Sequence, residues 1–223
     1  MKNKFATFCF GFLGFAFVCF SVFFFFSDLY VRKNIEFTDY ETMDSLSQDE
    51  ALKLAAVHDD CFKEERTKKL RSFFLKNKEV GARFDKRAFE ERLASYLEEG
   101  NKLDYIRSME NVTLARYQGN IIGLYLCSSE DRIIQNTNMI WNFCLSSSVR
   151  GKGISHLMID HAIKRCSHPG QNLALMVYKD SLVAQNLYKK HGFIQTEPLY
   201  SLEDEFEYYD KFLMKHSPKG EEP

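Results

Sequence analysis

Two short segments of the 223-residue chain combine residue types that can bind an anion and move a proton. The first covers residues 145–155, reads LSSSVRGKGIS, and joins an apolar stretch to a helical pattern. Its glycines let the backbone approach a ligand closely, and the unpaired N–H groups at the start of a helix favour a bound anion. Arg150 and Lys152 add positive charge. The segment predicts either a phosphate-binding loop or a tight strand-to-helix turn with solvated basic side chains.

The second segment covers residues 180–193 and reads DSLVAQNLYKKHGF. Its pattern predicts a short helix that ends at Gly192 and leads into a strand beginning at Phe193. Taken alone, Tyr188 is an ordinary residue at the edge of an apolar helix face. A tyrosine hydroxyl can also donate a proton at neutral pH, because its ordinary pKa is about 10.

Together the two segments resemble the motifs of the GCN5-related N-acetyltransferase (GNAT) superfamily. The acyl-CoA loop of that family reads Arg/Gln-x-x-Gly-x-Gly/Ala, which Arg150 to Ser155 match with serine in the last place. Ser181 stands where the downstream motif usually has Asn, so a contact to the cofactor arm is either missing or supplied by Asp180. The downstream motif reads Asn-x-x-Ala-x-x-Leu-Tyr-x-x-x-Gly-Phe, and its matching residues are Ala184, Leu187, Tyr188, Gly192 and Phe193.

The resemblance implies an acyltransferase that moves an acetyl group from acetyl-CoA to an amine, on a small molecule or a protein, without a metal ion. The pyrophosphate is expected on N–H groups of the loop, and a backbone N–H near Leu145 is expected to polarise the thioester carbonyl. Tyr188 matches the family's proton donor to the leaving sulfur. The expected cofactor-binding residues are Phe143, Leu145, Arg150, Gly151, Lys152, Gly153, Ile154, Ser155, Ser181 and Ala184.

The residues leave the general base and the catalytic status of the domain open. The strand from Asn138 to Cys144 has no carboxylate. The candidates for a base are therefore a water molecule relayed from Asn142, or a carboxylate elsewhere, such as that of Glu36 or Glu110. Two further functions compete with acetyl transfer: a module that binds acyl-CoA without turnover, and an acyltransferase that uses a longer acyl donor. Three histidines of the motif helices are expected to be surface or packing residues: His156, His161 and His191.

The remaining elements predict an α/β (α+β) domain over residues 31–216, with a mixed central sheet flanked by helices and a disordered tail at residues 217–223. Ser47 and Glu50 form a capping-box pattern at the start of one predicted helix. The predicted strands are Ile35–Tyr40, Val112–Tyr117, Ile121–Leu126, Asn138–Leu145, Leu173–Tyr178, a strand from Phe193 and Phe206–Met214. The other predicted helices are Asp85–Glu99 (ended by Gly100), Ile154–Cys166 and Leu182–Lys190.

A membrane anchor is predicted within residues 1–30, because residues 5–26 contain no charge and hold eleven of the 21 phenylalanines. As a helix this run would be about 33 Å long, enough to cross a hydrocarbon core of roughly 30 Å. The alternative is a cleaved signal peptide, although the run is longer than usual and no A-x-A-like site follows it. The protein is therefore expected to be a single-pass membrane protein.

Charge and cysteine usage bear on partners and compartment. The net charge of -1 argues against nucleic acid as a partner. The four cysteines of the predicted domain show neither zinc-site spacing nor a disulfide pattern, so unpaired thiols and a reducing compartment are expected. Basic residues lie on both sides of the predicted span in equal number, and the free amino terminus alone favours an N-terminus inside. Acetyl-CoA as the donor favours the opposite orientation, and on this ground the domain is expected to be cytosolic.

Overall fold

A computed structural model describes residues 30–62, 99–129, 134–196 and 211–217. The strands are β1 (Ile35–Thr42), β2 (Glu110–Tyr117), β3 (Asn120–Ser129), β4 (Thr137–Leu145), β5 (Asn172–Tyr178), β6 (Phe193–Gln195) and β7 (Lys211–His216). The helices are α1 (residues 48–62), α2 (Glu99–Arg107), α3 (Ile154–Cys166) and α4 (Leu182–Lys190). Residues 30–33 are helical and precede β1.

The seven strands form one mixed sheet in the order β1-β2-β3-β4-β5-β7-β6. β4 and β5 are parallel, and the other neighbouring pairs are antiparallel. Since α3 connects β4 to β5, the parallel pair is joined by a helical crossover, as such pairs require. The mixed α/β sheet predicted from the sequence is confirmed.

Helices cover both faces of the sheet and bury two apolar cores. On one face, Met158 and Ile159 of α3 pack with Tyr188 of α4 over the central strands. On the other face, Leu54 of α1 and Ile106 of α2 pack over β2 and β3. Burial on both faces explains why the central strands are almost continuously apolar.

Local signals place several helix ends as predicted. The Glu50 N–H donates to Ser47 Oγ at 3.3 Å, and the Ser47 N–H donates to the Glu50 carboxylate at 3.4 Å, which completes the capping box. The bounds of α3 and α4 are those that the sequence predicts. Gly100 does not end a helix, because α2 continues through it to Arg107. A glycine inside a helix is unfavourable but tolerated when the flanking turns pack against a core.

Some predictions fall on residues outside the described ranges. They are the helix over residues 85–98, the strand over residues 206–210, the tail over residues 218–223 and the span at residues 5–26. Within the described ranges, no helix has the length and apolarity that crossing a membrane requires. Ser217, which was assigned to the tail, donates its N–H to the Gly192 carbonyl at 2.9 Å and so belongs to the folded domain.

The expectation of unpaired cysteines is wrong. Cys61 and Cys144 form a disulfide with Cα atoms 5.8 Å apart, and Cys127 and Cys166 form a second with Cα atoms 5.4 Å apart. The partners lie 83 and 39 residues apart in sequence, so only the fold brings them together. Spacing along the chain therefore carries no signal for these pairs.

Candidate active site

The candidate active site is a cleft where β4 and β5 separate. The two strands pair with each other from Thr137 opposite Asn172 to Ile140 opposite Leu175. Beyond that point both strands continue, but they no longer pair with each other. Asn142 has a positive φ of 48°, and the register between β3 and β4 shifts opposite it. Such a bulge bends the strand and ends regular pairing. The resulting cleft has a volume of about 730 Å³.

The cleft brings together residues of both motifs. Those that line it and were predicted as site residues are Phe143, Leu145, Arg150, Gly151, Ser155, Ser181, Ala184 and Tyr188. Three other predicted residues do not line it. Ile154 is buried in the core below the loop, the Lys152 carbonyl accepts a hydrogen bond from Arg32 Nε at 2.7 Å, and Gly153 lies against the same Arg32 guanidinium.

The backbone of β4 presents polar groups to the gap. The Ser146 N–H donates to the Ile122 carbonyl of β3 at 2.8 Å, so it faces the paired edge. Backbone groups of successive residues in a strand point to opposite edges. The N–H of Leu145, which immediately precedes Ser146, therefore faces the gap toward β5. The Leu145 carbonyl accepts from Arg150 Nε at 2.9 Å, which ties the loop to the strand end.

The loop after β4 has the properties of an anion site. Gly151 has a φ of 79°, a conformation that glycine adopts without steric cost. No backbone carbonyl of the described residues accepts a hydrogen bond from the N–H groups of residues 151–155. These groups lie at the positive end of the α3 dipole, with Arg150 beside them. The arrangement can bind a phosphate or pyrophosphate group.

Tyr188 borders the cleft from α4. Its side chain is 6% exposed and lies between the edges of Phe143 and Phe193, with ring centroids 5.9 Å away in both cases. Burial raises the pKa of the Tyr188 hydroxyl well above its ordinary value, because the phenolate would lose its hydration. The hydroxyl therefore remains protonated at neutral pH and can act as a donor.

The candidate bases differ in position. Asn142 lines the cleft and donates from Nδ2 to the Tyr105 hydroxyl at 3.3 Å. Glu36 on β1 and Glu110 on β2 are exposed and do not line the cleft. Among the described lining residues, Asp180 is the one carboxylate. A directly placed glutamate base at either of the two predicted positions is therefore not supported.

The three helix histidines pack outside the cleft, as expected. His161 stacks on Phe37 with ring centroids 4.4 Å apart, and its Nδ1 lies 2.5 Å from the Tyr125 hydroxyl. His156 Nδ1 lies 2.8 Å from His191 Nε2, while His191 Nδ1 lies 2.8 Å from the Asp160 carboxylate. In the described part of the chain, no three His, Cys, Asp or Glu side chains are grouped to hold a metal ion.

Residues 60–62 of α1 contribute to the site, and sequence reasoning missed them. Cys61 and Phe62 line the cleft, and Asp60 hydrogen-bonds to the loop after β4. Neither motif includes them, and the contact spans 87 residues of sequence. No local pattern could have indicated it.

Comparison with known proteins agrees with the motif assignment. Residues 62–204 match the family model described as an acetyltransferase (GNAT) domain. The chain belongs to the GNAT acetyltransferase family. That match includes the loop and helix motifs on both sides of the cleft, so the GNAT resemblance of the sequence is confirmed. No curated protein sequence matches the chain significantly.

Several solved GNAT structures share this fold. PaiA N-acetyltransferase from Thermoplasma acidophilum, solved with coenzyme A, is 17% identical with a TM-score of 0.51, covering 82% of this chain and 99% of its own. An acyl-CoA N-acyltransferase from Pseudomonas aeruginosa is 14% identical with a TM-score of 0.50 and the same coverage. Diaminobutyrate acetyltransferase from Paenibacillus lautus, solved with L-2,4-diaminobutyric acid and coenzyme A, is 14% identical with a TM-score of 0.50, covering 85% and 98%. At these identities the likeness concerns the fold.

Proposed function

We propose that this protein is an N-acetyltransferase that uses acetyl-CoA as donor and an amine as acceptor. The observation that carries the proposal is the cleft itself. It lies beside the loop whose N–H groups at residues 151–155 have no backbone acceptor among the described residues, and it is lined by Leu145, whose N–H faces the gap, and by the buried Tyr188. These are the groups that a pyrophosphate, a thioester carbonyl and a leaving sulfur require.

Each group has a defined part in the reaction. The neutral amine nitrogen forms a bond to the thioester carbonyl carbon, whose oxygen is polarised by the Leu145 N–H. The carbon–sulfur bond then breaks, and the sulfur leaves as the CoA thiol after accepting the Tyr188 proton. The attacking nitrogen loses one proton to water, which leaves a neutral amide. Tyr188 regains its proton from solvent.

Three side chains of the cleft bear on the nature of the acceptor. Trp141, Asn142 and Phe62 line the cleft from β4 and from α1. These side chains would offer an acceptor one amide and two aromatic surfaces, which suits an amine attached to an apolar body. The apolar residues 5–26 support the further proposal that the enzyme is anchored in a membrane.

The test is release of the CoA thiol by the full-length protein in detergent. Acetyl-CoA is incubated with a panel containing spermidine, L-lysine, L-2,4-diaminobutyrate and a peptide with a free amino terminus. Tyr188→Phe is expected to lower turnover by about 100-fold or more, because it removes a general acid. The affinity for acetyl-CoA should stay unchanged. Tyr178→Phe, at a second tyrosine among the described residues that line the cleft, serves as the matched control and should retain turnover.

A second candidate function is a domain that binds acyl-CoA without turnover. Ser181 in place of the usual Asn and the lack of a carboxylate on β4 favour it. Binding of acetyl-CoA without thiol release across the whole panel would support this candidate and contradict the first. Turnover that appears only with longer acyl-CoA donors would assign a different donor to the same cleft.

A further inference from the structure

Asp60 and Cys61 of α1 attach that helix to the end of β4 and to the loop that follows it. The first attachment is the disulfide between Cys61 and Cys144. The second is the Asp60 carboxylate, which accepts hydrogen bonds from the Ser147 N–H at 2.7 Å and the Ser147 hydroxyl at 3.0 Å. The Ser146 hydroxyl also donates to Asp60, at 3.1 Å. Adjacent residues of one helix thus hold the chain on both sides of Leu145, at Cys144 before it and at Ser146 and Ser147 after it.

Leu145 lies between these two attachment points. Cys144 precedes it and Ser146 follows it, so neither neighbour can move without breaking a covalent bond or a set of hydrogen bonds. Beyond Ile140, no described residue pairs with β4 along the edge that faces β5, so within the described sheet only β3 supports this part of the strand. An edge that lacks one ladder is more mobile than a strand paired on both sides.

The charge of Asp60 suits it to this role. The Ser147 N–H, the two serine hydroxyls and the nearby Arg150 lower the pKa of the Asp60 carboxyl below its ordinary value. The carboxylate therefore remains ionised at neutral pH and accepts charge-assisted hydrogen bonds, which are shorter and stronger than neutral ones. The remaining loop N–H groups, at residues 151–155, lie outside this contact.

We propose that Asp60 and the Cys61–Cys144 disulfide form a clamp that positions the Leu145 N–H for the thioester carbonyl. The clamp rests on the proposed acetyl transfer and deepens it, since it assigns positioning residues from α1, outside both motifs. Preorganised donors lower the barrier only when they are held in place as charge develops on the oxygen. Loosening the clamp should therefore slow the chemical step and leave acetyl-CoA binding by residues 151–155 intact.

The experiment compares matched variants of the full-length protein with the most active amine of the panel. Asp60→Ala and the double variant Cys61→Ser/Cys144→Ser are expected to lower kcat by between about tenfold and 100-fold, the usual cost of a small misplacement. The KM for acetyl-CoA should change by less than about threefold, because Asp60 accepts hydrogen bonds from Ser146 and Ser147 and not from the N–H groups of residues 151–155. Asp60→Asn, which keeps one acceptor oxygen, should recover part of the lost kcat.

Two controls separate positioning from general destabilisation. Asp59→Ala removes the neighbouring carboxylate, which pairs with Lys102 instead of the loop. Cys127→Ser/Cys166→Ser removes the other disulfide, neither half of which lines the cleft. Both controls should retain kcat even where they lower the melting temperature. If the double cysteine variant does not fold, Asp60→Ala and Asp59→Ala still provide the comparison.

Hydrogen exchange supplies a readout that does not depend on turnover. Exchange at the Ser147 amide should accelerate in Asp60→Ala and stay unchanged in Asp59→Ala. Equal kcat values in clamp and control variants would overturn the clamp while leaving acetyl transfer established. A wild-type protein without turnover would instead overturn the proposed function. In that case unchanged exchange at Ser147 in Asp60→Ala would also overturn the clamp.

Discussion

At the scale of single residues, burial decides which polar side chains can do chemistry and which only hold the fold together. Burial raises the pKa of both Tyr188 and Tyr125, in the latter case to about 12. Tyr188 borders the cleft, whereas the Tyr125 hydroxyl already lies against His161 inside the domain. The same physical effect therefore produces a proton donor at one position and a structural hydrogen bond at the other. Position relative to the cleft, and not the pKa alone, distinguishes them.

The histidines lead to a prediction about stability in acid. Burial lowers the pKa of His156, His161 and His216 below the value of about 6.5 that an unfolded histidine has. Between the folded and unfolded pKa values the unfolded chain binds more protons, so the free energy of unfolding should fall as the pH drops below about 6.5. Urea unfolding at pH 8, 7, 6 and 5 measures this dependence.

His161→Gln tests the contribution of one histidine. The free energy of unfolding of this variant should depend less steeply on pH than that of the wild type. The reason is that it lacks the His161 imidazole, whose protonated form is disfavoured by burial in the folded state. The wild-type protein, measured in parallel, is the control. A slope in His161→Gln equal to that of the control would contradict the assignment.

At the scale of elements, the sequence predicts what depends on neighbours along the chain. The bounds of α3 and α4 and the capping box at Ser47 follow from periodicity and end signals within a few residues. Phe143 and Leu145 were expected in the cleft through the motif resemblance, and they line it. The disulfides and the Asp60 contact could not be predicted, because they join residues 39 to 87 positions apart. Such contacts depend on how helices pack on the sheet.

Gly151, in the loop between β4 and α3, can be tested against a matched glycine, Gly170, in the turn between α3 and β5. Gly151 and Gly170 have φ values of 79° and 77°, and a Cβ at either would meet no atom within 4 Å. Alanine at either position should therefore cost similar stability, about 1–2 kcal/mol for a left-handed conformation. Only Gly151→Ala places a methyl group at the cleft, so it alone should raise the KM for acetyl-CoA, by about tenfold.

Steady-state kinetics and thermal unfolding of both variants give the comparison. Equal KM values in Gly151→Ala and Gly170→Ala would show that the loop backbone does not approach the donor. A much larger loss of stability in one variant would show that the two positions are not matched. In that event the affinity for CoA, measured by calorimetry on the folded fraction, replaces the kinetic comparison.

At the scale of the whole molecule, the paired cysteines change the expectation about compartment. The cytosolic assignment rested on acetyl-CoA and on unpaired thiols, and all four cysteines of the described residues are paired. Stable disulfides form and persist in oxidising environments and are rare in the cytosol. The free amino terminus before the predicted span also favours an N-terminus inside, with the domain on the opposite side. From these two considerations we propose that the domain lies in an oxidising compartment.

This leads to a prediction about the protein in sealed membrane vesicles from the expressing cells. The protein should stay with the membrane after carbonate washing, and the domain should resist added protease until detergent opens the vesicles. Peptide mapping after alkylation without reductant should find Cys61, Cys127, Cys144 and Cys166 unlabelled, since disulfide sulfurs do not react. Labelling of all four, together with digestion of the domain in intact vesicles, would place it in the cytosol and contradict the prediction. Labelling of Cys61 and Cys144 alone would mean that this disulfide is reduced in the cell while the one between Cys127 and Cys166 persists. In that case kcat should rise when the Cys61 and Cys144 thiols are oxidised to the disulfide.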